Sequence, residues 1–409
     1  MKQQTKPQET HRKNSTNSAQ PVYSNETILF DIGSLCAHFS GLTDGRKARG
    51  KRYGLVTVLV LMVLGKLSGQ DTPEAIADWA KQHGEGLAQL LKLKRSSMPH
   101  ATTLGRVLRQ ALQPEEFERE MQAYFAQQPA VLQARQICLD GKQVRGTERI
   151  AGEGNVYLLG AYVPGAGVML MQAELAAGES ELSAAPRVLE VLDLRRKVVS
   201  GDAAFTQRSL SVQIVQAGGD YVWKVKDNQP KLLADIRLLF HTPAAALPGF
   251  NTPPTDFRTC REMTCGHGRV ETRTLTASSL LKDSSDWPHL QQVYKMDCLT
   301  LYKKTGVLTH STTYGVTSLR AEVAPARTLL DLVVGHWGIE GGSHQRRDVT
   351  FHEDFCDLRR GHSAHIMAIL NNLAISLMTR IGFANVAHAR RVFEAHPQRA
   401  FALLTGGLS

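Results

Sequence analysis

The 409-residue sequence predicts an α/β fold: a core of strands and helices, interrupted by a mainly β insertion and preceded by an all-α region. Three observations carry that expectation. Apolar residues between 28 and 130 recur at helical intervals. From Gln136 the period shifts to strand-like runs separated by helical ones. Residues 241–320 turn rich in Thr, Ser, Pro and Gly, with short β-like pieces. The length suits about two to three domains. The divisions expected are a tail over 1–27, a helical N-terminal region over 28–130, the first part of the α/β core over 131–240, the β insertion over 241–320 and a C-terminal helical part over 321–409.

Residues 1–27 are polar and read as disordered, without the layout of a secretory signal. A basic cluster, Arg46, Lys47, Arg49, Lys51 and Arg52, precedes the apolar run Leu55–Leu64. That run is too short for a bilayer, which needs roughly twenty residues, so a buried helix is expected and a membrane role is not. Pro73 with Glu74 opens a helix through Ile76 and Trp79. In Ser97–Arg109, Thr102 or Thr103 would cap a helix presenting Arg106 and Arg109. Two readings stand for this region: a DNA-binding helix-turn-helix, and a helical bundle with a solvated basic face.

Strands are expected at Gln136–Asp140, Val156–Tyr162 and Val168–Ala173, with a turn at Pro164-Gly165. A helix follows through Leu182–Leu192, then a strand at Lys197–Asp202, a helix at Gln207–Val215, a strand at Tyr221–Lys226 and a helix after Pro230. Three strands, then helix, strand, helix, strand, helix, is the order of a ribonuclease H-like domain. There the first and fourth strands are neighbours, which would bring Asp140 and Asp202 together. The insertion offers β-like pieces at Arg269–Leu275, Gln292–Leu301 and Leu308–Val316, and helices resume over Pro325–Arg347 and Gly361–Ile381.

A formal charge of +10 points to a polyanionic partner, nucleic acid first. The six cysteines lack a framework spacing and read as reduced thiols of a cytosolic protein. Cys260, Cys265 and His267 hint at zinc, but no second pair completes a four-ligand set.

The stretch Ile137–Gly146 sets an acid, Asp140, at the end of an apolar run and basic residues just after it. Alone, Asp140-Gly141 reads as a turn between strands. Charge at the end of a buried strand otherwise asks for a metal, a partner or water. Two-metal phosphoryl transfer needs carboxylates from separate elements, and Mg²⁺ prefers oxygen ligands. Asp140 and Asp202 supply two. A third would come from Val334–Arg347, where His336, Glu340, His344 and Arg347 fall on one helical face. Gly341 and Gly342 weaken that helix by roughly 1 kcal/mol each relative to Ala, yet would admit DNA close to the backbone. Three alternatives stand beside this. His336, Glu340 and His344 form a zinc set; Glu353 or Asp354 is the third acid; or the stretch is a surface helix laced with salt bridges.

Together these residues resemble bacterial insertion-sequence transposases of the H-repeat-associated (ISAs) type, within the DDE transposase superfamily. The motifs, in order, are Leu139-Asp140-Gly141-Lys142 with Arg145-Gly146, Gly201-Asp202-Ala203 with Thr206-Gln207, and Asp220-Tyr221-Val222 with Lys226-Asp227-Asn228-Gln229. They continue with His267–Arg273, then His336-Trp337-Gly338-Ile339-Glu340 and His344, then Asp348–Phe351 with Glu353-Asp354. Gly50–Tyr53, Gly69, Ile76–Trp79 and Thr103–Val107 are similar to the family's associated N-terminal domain. The resemblance implies a ribonuclease H-like core and a catalytic, metal-binding triad of Asp140, Asp202 and Glu340. It implies Mg²⁺, with Mn²⁺ as a substitute. The implied partner is double-stranded DNA, both terminal inverted repeats and target, cut and joined by a homodimer in the cytoplasm or on the nucleoid. Lys142, Arg145, Lys226, Asn228, Arg269, His336, His344 and Arg347 are the DNA-contact candidates. Val333, His336 and Arg347 stand where related transposases carry Tyr, Arg and Lys, and Asp227, Gly341, Gly342 and Gln345 also depart from the usual pattern. The three acids are intact. A transposase-derived DNA-binding protein without catalysis, and a nuclease without strand transfer, remain the alternatives.

Overall fold

The helix Leu55–Leu67 (α2) explains why the N-terminal half folds as it does. Its sequence is apolar on every side, and all thirteen residues are buried, so no face is left for solvent. A computed structural model of the chain describes residues 22–23, 29–30, 34–48, 51–145, 155–241, 256–356, 358 and 360–406. Most of the expected tail over 1–27, together with Arg49, Gly50 and Gly146, lies outside them.

Two short strands, β1 (Val22–Tyr23) and β2 (Leu29–Phe30), pair antiparallel. With α2 the N-terminal region comprises α1 (Leu35–Ser40), α3 (Pro73–Gln82), α4 (Gly84–Leu90), α5 (Ala101–Arg106), α6 (Pro114–Ala126) and α7 (Pro129–Gln133), of which α1 and α3 pack on α2. Pro73 opens α3 as its pattern predicts, with Thr72 Oγ1 accepting from Ala75 N at 3.1 Å. The cap of α5 is His100 rather than a threonine; its ring accepts from Thr102 N at 3.3 Å. After α4 the chain closes with Lys92 N on Gln89 O (3.2 Å) and Leu93 N on Ala88 O (2.8 Å), the hydrogen-bond pattern that usually carries glycine at its left-handed residue. Here that residue is Lys92, at φ 52°, where a side chain costs about 1–2 kcal/mol.

The core sheet is built from β3 (Gln136–Val144), β4 (Val156–Val163), β5 (Val168–Glu174), β6 (Val198–Gly201) and β7 (Asp220–Val225), with helices α8 (Glu181–Glu190), α9 (Arg208–Gln216) and α10 (Pro230–His241) between and after its strands. The insertion adds β8 (Arg258–Gly266), β9 (Arg269–Ser278), β10 (Gln292–Tyr302) and β11 (Leu308–Thr317). It does not stand apart. β11 pairs antiparallel with β7, giving one nine-stranded mixed sheet in the order β5-β4-β3-β6-β7-β11-β10-β9-β8. The first and fourth core strands are neighbours and parallel, Cys138 opposite Ser200.

The expected turn at Asp140-Gly141 is absent. β3 continues through both residues to Val144, with Asp140 opposite Gly160 and Gly141 opposite Leu159. Pairing with β4 overrides the local turn preference of the Asp-Gly dipeptide. The C-terminal part comprises α11 (Ala326–Gly335), two π-helical turns at Glu340–His344 and Arg346–Thr350, and α12 (Ser363–Arg380), α13 (Val386–Ala395) and α14 (Pro397–Thr405).

One apolar core runs from Leu35 to Leu404, so the N-terminal helices pack on the sheet, with α6 and α12 both against β5. A buried polar joint seals this contact: His365 of α12 sits 3.1 Å from Glu174 of β5 and 3.4 Å from Glu118 of α6. A second joint lies at the far end of α2. There Lys66, fully buried, donates to Asp71 O at 2.9 Å and stands 5.8 Å from the Phe351 ring. Arg390 binds Asp71 at 2.6 Å, covers Phe351 and donates to Thr350 O. No helix among the described residues is long and apolar enough to cross a membrane.

Candidate active site

Alternation along β3 turns Gln136, Cys138, Asp140 and Lys142 to one face of the sheet. That face carries α11 and the turns after it. Gln136 Nε2 donates to Leu332 O (2.7 Å) and Ser200 Oγ (2.8 Å), Cys138 Sγ donates to Gly335 O (3.7 Å), and Ser200 Oγ meets His336 Nδ1 (3.3 Å). β3 and β6 thus hold the end of α11 in place just before Glu340.

Asp202 ends β6 one strand over from Asp140. It caps the short 3-10 turn Ala203–Phe205, with Oδ1 accepting from Ala204 N at 2.9 Å, and Asn228 Nδ2 secures that turn by donating to Ala203 O at 2.7 Å. Glu340 opens the first π-helical turn and is exposed, while Ile339 beside it is buried with Cys138, Tyr162 and Met169. A Cβ at Gly342 would collide with the Tyr162 hydroxyl, so glycine is needed there; nothing crowds Gly341. Such π turns are uncommon and recur at functional sites.

The wider helical turns break the single face expected for His336, Glu340, His344 and Arg347. Glu340 looks outward, whereas the other three turn in. Arg347 is 1% exposed, and its guanidinium grips the 3%-exposed Glu353 through Nε (3.0 and 2.8 Å) and Nη2 (2.6 Å). Asn371 Nδ2 also donates to Glu353 at 2.8 Å. Burial alone would push the Glu353 carboxyl up, but Arg347 holds it below the usual range. Neither residue faces solvent, so Arg347 is not placed to meet DNA, and Glu353 is engaged by a cation.

The electrostatics single out Asp140. Its carboxyl is pushed up to about 7 by burial, then by the charges of Glu181, Glu340 and Asp202, against a backbone hydrogen bond from Gly141 N. Asp140 therefore lies within electrostatic reach of the other two acids expected from the sequence. A fourth, Glu181, was not foreseen. It opens α8 directly over Gly141, where a Cβ would strike its carboxylate, and burial and Asp202 raise its own carboxyl. His344 Nδ1 stands 3.5 Å from Asp140 Oδ2, but burial, Arg347 and Lys142 push the ring down to about 3, so it is neutral there. His336 is likewise neutral, held at about 4 by burial and Lys224.

Lys224 is the cation of the cluster. Burial lowers its ammonium, and Glu340, Asp202 and Asp140 raise it. It lies 4.8 Å from the Trp337 ring, whose other cationic neighbour is Arg273 at 5.9 Å. The one sequence signal for it was a lysine within an otherwise apolar strand, two residues before the Lys226 that drew attention.

Four further DNA-contact candidates need revision or placing. Lys142 is buried and salt-bridged to Asp348, with Asp354 at 3.9 Å, so it ties β3 to the second π-helical turn. Arg269 sits at the β8–β9 hairpin tip, paired with Glu271 at 2.8 Å, roughly 25 Å along the strand from the level of Lys224. Arg145 and Lys226 are exposed. The zinc readings find no support: among the described residues no three or more of His, Cys, Asp and Glu stand as a ready-made metal-ligand group. The acids gather within electrostatic reach without closing into a ligand shell, but four carboxylates with mutually unneutralised charge fit a hard divalent cation in donor type.

Two family models match the chain: Transposase DDE domain over residues 132–377, and DDE_Tnp_1-associated over residues 36–125. Among curated proteins the chain is similar to an "Uncharacterized protein in dhlA 3'region" of Xanthobacter autotrophicus, 31% identical over 63% of this chain and 86% of that one. It is also similar to the "H repeat-associated putative transposase YhhI" of Escherichia coli (strain K12), 23% identical over 93% of this chain and 100% of that one. Among solved structures it is similar to a piggyBac transposase synaptic complex with hairpin DNA, at a TM-score of 0.40 and 12% identity, covering 91% of this chain and 76% of that one.

Proposed function

The chain belongs to the transposase DDE domain family, and from that premise we propose that it cuts insertion-sequence ends and joins them to target DNA at Asp140, Asp202 and Glu340. The observation that carries this reading is the gathering of those three carboxylates from β3, the end of β6 and the turn after α11, where burial first and then the charges of Glu181, Glu340 and Asp202 push Asp140 to about 7. The order of the five core strands, with the first beside the fourth, supports a ribonuclease H-like core.

Asp140, Asp202 and Glu340 would hold Mg²⁺, or Mn²⁺ in its place. Bound there, the metal supplies Lewis-acid neutralisation of charge on the phosphodiester and lowers the pKa of an attacking water. The side chains do the rest. Lys224 lies beside the acids as a counter-charge for a non-bridging phosphate oxygen. Neutral His344 offers a ring N–H toward Asp140 and limits how that carboxylate can turn. Asn228 fixes the turn that presents Asp202. Arg145 and Lys226 extend the basic rim toward the DNA backbone. In the first step water forms the new P–O bond and the 3′-oxygen leaves with a proton. In the second, that 3′-hydroxyl attacks a target phosphodiester and displaces its 3′-oxygen at the same acids. Two copies, one per element end, would be needed for concerted joining.

The test is a supercoiled plasmid carrying the cognate ends, incubated with the protein and Mg²⁺. Nicking and joining that Asp140→Asn abolishes is the expected result. Binding without cleavage would reduce the protein to a transposase-derived DNA-binding protein, and cleavage without joining would make it a nuclease.

A further inference from the structure

The strongest unexplained charge on the molecule lies far from the acids in sequence. A cleft of about 570 Å³ opens between the start of α2 and the loop after α4, and its wall holds Lys51, Arg52, Lys92, Lys94 and Arg95 beside Tyr53. Among the described residues no carboxylate lines it. Lys51 leans out to Asp44 at 3.4 Å, but Lys92, Lys94 and Arg95 have no acidic partner among the described residues. Arg52 is fixed from both sides: its guanidinium lies 5.5 Å from the Tyr53 ring and donates to Ser97 Oγ at 3.0 Å. The positive end of α2 faces the same space, and no side chain caps it at Gly54.

Lys92 is the observation that turns a basic patch into a site. The turn after α4 puts its residue in the left-handed region, where glycine is the ordinary choice. The chain places a long cationic side chain there in spite of the backbone strain, and it lands in the cleft. Surface solubility alone would be served by a lysine one position away without that strain.

We infer that this cleft is a clamp for the phosphate backbone of duplex DNA, separate from the acids. Its charge suits backbone phosphates of any sequence, because lysine and arginine heads from two loops meet a helix N-terminus there. The inference rests on the reading of the partner as DNA and adds a second, non-reacting point of attachment.

The test uses the full-length protein and a fluorescent duplex DNA of about 30 base pairs of arbitrary sequence, with binding followed by anisotropy across a salt series. The variant Lys92→Gly, Lys94→Ala, Arg95→Ala removes three charges, and glycine at 92 relieves the strained backbone, so folding is preserved and checked by circular dichroism. Its log–log salt slope is expected to fall by about 2–3, near 0.9 per lost phosphate contact, with binding at least about tenfold weaker. An unchanged slope and affinity in a folded variant overturns the clamp while leaving the transposase reading intact. A wild-type protein that ignores duplex DNA, or binds duplex RNA in its place, overturns both.

Discussion

Glu353→Gln and Glu340→Gln should fail in opposite ways, and the pair decides which acid serves the chemistry. Glu353 is 3% exposed and meets Arg347 at 2.6, 2.8 and 3.0 Å, with Asn371 on the same carboxylate. Its neutral amide would strand a guanidinium that is itself 1% exposed. Breaking such a buried pair costs about 3–5 kcal/mol. Spread over a chain of 409 residues, that lowers the thermal midpoint by roughly 3–6 °C. Glu340 is exposed and engages no cation directly among the described residues, so its amide should leave the midpoint within about 1 °C, inside the scatter of surface substitutions. Removing an electrostatic participant at the reacting centre costs on the order of 10²–10³ in rate. The assays are scanning calorimetry and nicking of an end-bearing plasmid by the same preparations. A Glu353→Gln protein as stable as wild type but inactive, beside an active Glu340→Gln protein, would refute the assignment of structure to the first and chemistry to the second.

Asp140→Asn should stabilise the metal-free protein. Folding raises that carboxyl from 3.8 to about 7, so the native state binds the extra proton and stability falls as pH climbs between those values; above 7 the amide recovers roughly 4 kcal/mol at most, measurable by chemical denaturation in chelator. His365 shifts stability with pH in the same direction, in a higher window. Burial lowers its pKa but the bonds to Glu118 and Glu174 win, raising it to about 9, so its contribution is complete below 6.5 and disappears as pH rises through 9; a midpoint-versus-pH curve should slope downward there in wild type and flatten in His365→Gln. Lys224→Met should cut nicking by about 10- to 100-fold with the thermal midpoint kept, and Lys224→Arg should restore part of it; full activity in the methionine variant would remove Lys224 from the site.

The strand order was legible because each core strand is a short apolar run bounded by turn residues, from Gln136 through Val225. Asp140 and Asp202 stood out for a related reason: each is an acid following a buried strand's apolar residues. What stayed hidden was partnership. Lys142 and Arg347 look like free cations in one dimension, and only the folded chain brings Asp348 and Glu353 to them. The face of His336, Glu340, His344 and Arg347 was drawn with regular α-helical spacing, and the π-helical turns displace it. Lys224 and Glu181 were missed because their neighbours in sequence give no sign of the carboxylates that surround them in space. The end of the chain was expected to be helical as part of the region over 321–409, but α13 and α14 were not drawn as separate helices.

The wholly buried helix α2 has a consequence for distance. Its first turn, through Thr57, borders the basic cleft, and near its last residue Lys66 rests by Phe351, just past the second π-helical turn. Thirteen residues make a rod of about 20 Å, close to six base pairs of duplex, and with core on every side it has nowhere to bend. If the proposed clamp grips a backbone at one end, the offset toward the acids would follow helical rise, and an insertion of one residue in α2 would rotate the grip by about 100° before it lengthened the reach.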